Sequence, residues 1–279
     1  MLRARVLVVI ILLPIGIFLI YLGGAPFSLF VTLILSLAAW EYTRLFRAAG
    51  QQPSGPLIIG GVALLALGRA WDSRFSTPDG FTSAPVLISV AVLAAMSYHL
   101  IAYERGRDQA ATDFGVTLAG IIYIGWLGAY LISLRDLPEG FWLFLLVLPG
   151  VWLADSGAYF IGRAFGRHRL SPRLSPKKTW EGYLAGVLIG ISGTAGLVHL
   201  WGTWAGPGFT ITPLQGALLG LLLSTLPTLG DLGESLIKRQ AGVKDSGNLL
   251  PGHGGVFDRI DSWLWGALIG YYFIRWVVL

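Results

Sequence analysis

Residues 213–279 read PLQGALLGLLLSTLPTLGDLGESLIKRQAGVKDSGNLLPGHGGVFDRIDSWLWGALIGYYFIRWVVL. Two apolar runs enclose a stretch, Gly230 to Ser262, that gathers five acids, four bases, a histidine and a glycine-rich turn. Charge at membrane depth costs roughly 2.5–3.5 kcal/mol per residue on insertion scales. A segment that keeps so many charges between two spans is therefore there for chemistry. Its residue types suit a divalent metal held by carboxylates, and phosphate held by lysine, arginine and backbone N–H groups.

The rest of the chain fits the same frame. Of 279 residues, 54% are hydrophobic and 13% charged, against about 25% charged in soluble domains, and the mean hydropathy is +0.68. The fold expected is all-α, a polytopic membrane protein. Cysteine is absent, which excludes disulfides, thiolate catalysis and cysteine-ligated zinc. Four scattered histidines, His99, His168, His199 and His253, lack HExxH spacing. The run from Arg5 to Leu22 resembles a signal peptide, but no clean small-x-small cleavage site follows, so it reads as a retained first span.

A span needs about 20 mostly apolar residues. The pattern predicts nine: 5–22, 26–43, 57–71, 84–103, 114–133, 141–161, 181–201, 213–230 and 262–279. The third is short, as a tilted or protein-buried helix would be. With the N-terminus in the cytoplasm, alternation puts 16 of the 20 Lys and Arg residues inside and leaves only Arg69, Arg74, Arg135 and Arg275 outside. That asymmetry explains the net charge of +5 by topology, with no need for nucleic acid. Two inside loops, 162–180 and 231–261, hold ten of the sixteen inside bases. The domain reading is 1–140 as N-terminal transmembrane helices and 141–279 as C-terminal transmembrane helices carrying the site, in one integrated membrane unit.

Four constellations could carry chemistry. Asp155 and Tyr159 share a helix face near the inner end of the sixth span; a structural acid paired with an arginine and a metal or phosphate ligand are both open. In Ser175-Pro176-Lys177-Lys178-Thr179-Trp180-Glu181-Gly182, Thr179 or Ser175 can cap the next helix, and two lysines before a helix N-terminus make an anion site or simple topological charge. In Asp231-x-x-Glu234-x-x-x-Lys238-Arg239, a Glu234–Lys238 pair on a solvated helix end accounts for Glu234 but not for Asp231, directly after an apolar span. From Gly252 to Asp261, glycines allow close backbone approach, while Asp258 and Asp261 lie three apart at a helix start. Capping explains one aspartate, not four acids on one membrane side, which together suit a hard cation such as Mg²⁺.

The order Ser235-Leu236-Ile237-Lys238-Arg239, Lys244-Asp245-Ser246-Gly247, Leu250-Pro251-Gly252, then His253 to Asp261 resembles the signature of the phosphatidate cytidylyltransferases, or CDP-diacylglycerol synthases. The resemblance covers roughly the last 130 residues; the first 140 match only as apolar spans. It implies that CTP and phosphatidate give CDP-diacylglycerol and pyrophosphate. It also implies Mg²⁺ dependence, a second, monovalent ion, a homodimer and a bacterial inner membrane, with the site facing the cytoplasm. Asp231, Asp258 and Asp261 are implied as metal ligands, with Asp155 as a further one. Lys238 and Arg239 join the three aspartates as catalytic residues. Lys177 and Lys178 are assigned to CTP phosphates or pyrophosphate, and Arg239, Lys244 and His253 to phosphate oxygens. Gly252, Gly254 and Gly255 let backbone approach the nucleotide, and Ser175 and Arg259 complete the substrate-binding set. The CDP-alcohol phosphotransferases, a rival class, carry an Asp-Gly-x-x-Ala-Arg block that is missing here. A transporter predicts mid-span acids and an inverted repeat, and neither is visible.

Overall fold

The computed structural model describes residues 2–75, 80–249, 252 and 254–279, and from residue 10 onward the described side chains as well. Among them, seven helices are long and apolar enough to cross a membrane. A shorter apolar helix over Ile10–Leu22 and a last helix from Phe257 occupy the other two expected positions. The chain divides into two compact units, residues 1–136 with 237–260, and residues 137–236 with 261–279.

The first unit contains α1 (Leu2–Leu22), α2 (Gly24–Ala48), α3 (Gly55–Phe75), α4 (Ala84–Glu104), α5 (Ala110–Gly120) and α6 (Tyr130–Arg135), a π-helical stretch over Ile121–Trp126 joining the last two. The third span is thus full length at 21 residues, rather than short. Phe27, Val31, Leu35, Ala38, Tyr42 and Leu45 recur every three or four residues on α2 and are buried, the stripe a packed helix must present. Glycines let the π-helical stretch press in: a Cβ on Gly125 would sit 3.0 Å from the Val62 Cα. Arg135 reaches back to cap α1, donating from Nε to the Ile20 carbonyl at 2.5 Å and from Nη2 to that of Tyr21 at 3.0 Å. Those carbonyls belong to the last turn, where an α-helix leaves acceptors unfilled. The chain then turns through Gly23 and Gly24, both at positive φ (61° and 54°).

The second unit contains α7 (Gly140–Phe165), the strands β1 (Arg169–Ser171) and β2 (Ser175–Thr179), α8 (Trp180–Gly202), α9 (Pro213–Thr225) and most of α10 (Pro227–Gln240) and α11 (Phe257–Phe273), the last continuing as a π-helical end over Ile274–Val278. The seam of α8 is built from small residues: Gly182, Gly186, Gly190 and Thr194 are all buried at a spacing of four. With no apolar driving force between helices in lipid, such residues let backbones meet. A Cβ on Gly186 would lie 2.7 Å from the Ala154 carbonyl oxygen, and one on Gly182 2.6 Å from that of Ala158. Gly186→Val is therefore expected to force α7 and α8 apart at a cost of about 1–3 kcal/mol, read as a lower Tm in detergent, whereas Gly196→Val, at open space, leaves Tm unchanged.

The hairpin of β1 and β2 lies in the inside loop 162–180, where no strand was expected. It pairs Arg169 with Thr179 and Ser171 with Ser175, and the Trp180 N–H closes it on the His168 carbonyl at 2.8 Å. The two strands aside, the expectation of an all-α polytopic membrane fold holds. The eighth predicted span also runs on: α9 breaks at Leu226–Pro227 and α10 carries the helix to Gln240. The ninth starts at Phe257 rather than 262.

Candidate active site

Three acids of the second unit converge. Pro227 lacks an N–H, so the backbone restarts there as α10. Asp231 and Glu234, three apart, then share one face. Gly230 has no side chain to hold α11 away: a Cβ there would meet Trp265 at 2.6 Å and the Asp261 carbonyl at 2.7 Å. That approach brings in Asp261, and one carboxylate oxygen each from Asp231, Glu234 and Asp261 lie within 4.8 Å of one another. Glu234 and Asp261 are buried, 1% and 8% exposed. At that separation two ionised carboxylates would repel by roughly 3 kcal/mol at an effective dielectric of about 20, a cost that a cation would offset. Mg²⁺ sits about 2.1 Å from each oxygen, which puts opposite ligands about 4.2 Å apart. The all-oxygen donor set suits a hard cation.

The hairpin supplies a positive charge. Lys178 forms an ion pair with Asp231. Its neighbour Lys177 is exposed. Thr179 caps α8, its hydroxyl accepting from the Gly182 N–H at 3.2 Å; Ser175 lies on β2 instead. Glu181 anchors the turn before the hairpin by accepting from the N–H groups of Arg167 (3.0 Å) and His168 (3.1 Å). Asp155, on α7, retains accessible surface and feels the charges of Lys178 and Asp231, although it is not one of the three grouped acids.

The first unit holds a second arrangement. Asp258 was expected among the metal ligands, but its carboxylate is taken up by its own loop. Oδ1 accepts from Lys238 Nζ at 2.6 Å. Oδ2 accepts from the Ser246 N–H (2.8 Å), the Ser246 hydroxyl (2.9 Å) and the Gly255 N–H (2.8 Å). Lys238 thus reaches a tertiary partner, Asp258, across the loop. Gly252 and Gly254 take positive φ (78° and 83°), which shapes the glycine turn. Arg239, Lys244 and Arg259 are exposed. His253, with Leu250 and Pro251, lies outside the described residues.

Sequence reasoning missed two residues. Glu234 carried the right signal, its spacing from Asp231, but was absorbed into an expected ion pair. Glu41, on α2, falls within the second predicted span, 26–43, and was not singled out. It is 1% exposed, and its Oε2 accepts from the Ser246 hydroxyl at 3.0 Å and the Phe257 N–H at 2.8 Å. An acid inside an apolar run was the signal. Glu41→Ala is expected to orphan these buried donors at about 1–3 kcal/mol each, lowering Tm and freeing the 246–257 loop to proteolysis. Glu41→Gln keeps an acceptor and most of the protection.

Membrane-crossing helices, a group of three carboxylates and basic loops suit an integral-membrane protein that handles a cation and anionic ligands. Residues 3–277 match the cytidylyltransferase family, and the chain belongs to that family. It is 36% identical to the phosphatidate cytidylyltransferase of Synechocystis sp., over 97% of this chain and 95% of that protein. It is 38% identical to the phosphatidate cytidylyltransferase of Pseudomonas aeruginosa (94% and 93%) and 32% identical to that of Bacillus subtilis (94% and 93%). The likeness thus extends through the N-terminal spans as well as the C-terminal signature.

Proposed function

We propose that this protein transfers CMP from CTP to phosphatidate, giving CDP-diacylglycerol and pyrophosphate for phospholipid synthesis. The three-acid group of Asp231, Glu234 and Asp261 carries the reading, together with the near full-length match to phosphatidate cytidylyltransferases. A phosphate oxygen of phosphatidate attacks the α-phosphorus of CTP. A P–O bond forms there, and the bond from the α-phosphorus to the bridging oxygen breaks, with its electron pair leaving on pyrophosphate. The attacking phosphate is already anionic near neutral pH, so no general base is required. The barrier is repulsion between anions, which positive charge and positioning must lower.

Mg²⁺ is the proposed cofactor, held by Asp231, Glu234 and Asp261, with Asp155 near enough to add a further carboxylate. When bound, it would neutralise phosphate charge during transfer. Lys178 neutralises Asp231 in its absence and is free to turn to a nucleotide phosphate when the cation takes its place. Lys177, Arg239, Lys244 and Arg259 are exposed cations suited to phosphate oxygens. Lys238, Asp258, Ser246 and Glu41 order the loop that carries Gly252, Gly254 and Gly255. The distribution of 16 bases to 4 across the two sides supports a cytoplasmic N-terminus and a site facing the cytoplasm, in the inner membrane of a bacterium. The homodimer and the second, monovalent ion rest on the family resemblance alone.

The test is reconstitution of the purified protein in vesicles with CTP labelled at the α-phosphate, phosphatidate and Mg²⁺. Label is expected in CDP-diacylglycerol, with one pyrophosphate released per lipid product and no transfer after chelation. Label that stays in CTP, or passes only to a different lipid phosphate, overturns the reading.

A further inference from the structure

A second polar feature of the first unit plays no part in the proposed chemistry. A cleft of about 860 Å³ opens where α2 and α4 end and α5 begins, lined by Arg47, Arg105 and Arg107 among others. Spans alternate in direction, so these three ends lie on one side of the membrane, at headgroup level. Arg107 is held rigidly: Nε donates to Asp113 Oδ2 at 2.7 Å, and Nη2 to Asp113 Oδ1 at 3.2 Å and to the Gly50 carbonyl at 3.1 Å. Asp108 also bears on it electrostatically. Arg47 makes one long contact, 3.4 Å, to the Pro53 carbonyl. Among the described residues no acid pairs with Arg47 or Arg105. The cleft is therefore left with positive charge facing inward.

Two more observations define what would fill it. Gln51 lines the cleft, and its buried Oε1 has no hydrogen-bond partner among the described residues; buried acceptors are rarely left so, and a hydroxyl would satisfy it. Part of the lining is apolar: Tyr98 and Ile101, 49% and 53% exposed, stand on α4, the span with the smallest share buried inside the protein, 11%. Acyl chains can lie along that helix while a phosphate meets the guanidinium groups, which suit phosphate oxygens in bidentate fashion.

We propose that this cleft binds an anionic glycerophospholipid whose phosphodiester carries a hydroxylated head, held by Arg47, Arg105 and Arg107 with Gln51 at the hydroxyl. The site is a standing lipid site, independent of the proposed transfer. A soluble phosphate would leave the apolar lining bare, and a zwitterionic lipid would set its ammonium among three guanidinium groups.

The full-length protein in neutral detergent is titrated with phosphatidylglycerol, phosphatidate, phosphatidylcholine and glycerol 3-phosphate, with binding read by native mass spectrometry and Tm. Phosphatidylglycerol is expected to bind most tightly and raise Tm, with phosphatidylcholine and glycerol 3-phosphate doing neither. The double variant Arg47→Gln/Arg105→Gln is expected to weaken phosphatidylglycerol roughly 30-fold, at about fivefold per interfacial base, with an unchanged helical circular dichroism spectrum. Gln51→Leu is expected to weaken phosphatidylglycerol several-fold and leave phosphatidate as it was. Wild-type affinity for phosphatidylglycerol in the double variant, equal binding of phosphatidylcholine, tight binding of glycerol 3-phosphate alone, or a Gln51→Leu variant with no preference lost would each overturn the proposal.

Discussion

Asp261→Asn is expected to slow cytidylyl transfer on the order of 10³-fold, the scale on which one preorganised electrostatic contact acts. Asp261 is 8% exposed and supplies one of three carboxylate oxygens that lie within 4.8 Å of one another. The substitution keeps the shape and removes one negative charge. A readout besides activity comes from the mutual repulsion of the acids. In the wild type, Mg²⁺ or Mn²⁺ relieves that repulsion and should raise Tm; in Asp261→Asn the rise shrinks, and Mn²⁺ binding followed by electron paramagnetic resonance weakens. Asp258→Asn provides the contrast. Its carboxylate serves Lys238 and the loop, so that variant should lose activity through a loosened loop while Mn²⁺ binding persists. Should Asp258→Asn abolish Mn²⁺ binding and Asp261→Asn spare it, the assignment of the two aspartates is reversed.

Lys238→Ala is expected to cost about 3–5 kcal/mol, the penalty for leaving a buried charge without its counter-ion. The side chains of Lys238 and Asp258 are 12% and 5% exposed. The loss falls on the loop between α10 and α11, so proteolysis within 241–256 should accelerate along with a drop in Tm. The double variant Lys238→Ala/Asp258→Ala should recover part of the lost stability, because it removes both charges, yet recover no transfer activity. Equal Tm in the wild type and Lys238→Ala would show that the pair adds nothing to the fold.

The spans were readable because lipid imposes so strict a rule: every apolar run of sufficient length must close its own hydrogen bonds as a helix. Their ends were less so. Span eight was expected to stop at 230 because hydropathy falls there, but the acids of α10 stay helical through Gln240. The Thr179 cap was legible as a local signal. The hairpin was not, since Ser175-Pro176-Lys177-Lys178-Thr179 has little strand propensity and is held by its turn and by the bond between Trp180 and His168. In the site, Asp231 and Asp261 were singled out as neighbours of membrane spans that local pairing does not explain, and the structure groups them with Glu234. Glu234 was set aside because a local pairing rule offered a sufficient account of it, whereas the structure groups it with Asp231 and Asp261. Glu41 had no local signal linking it to the loop, because its partner Ser246 stands 205 residues away.

The strand carrying Lys177 and Lys178 makes two identical neighbours unlike. One of them has an anionic companion in Asp231 and the other faces open solvent, so a doublet that looks redundant in the sequence presents two different charges to an incoming anion.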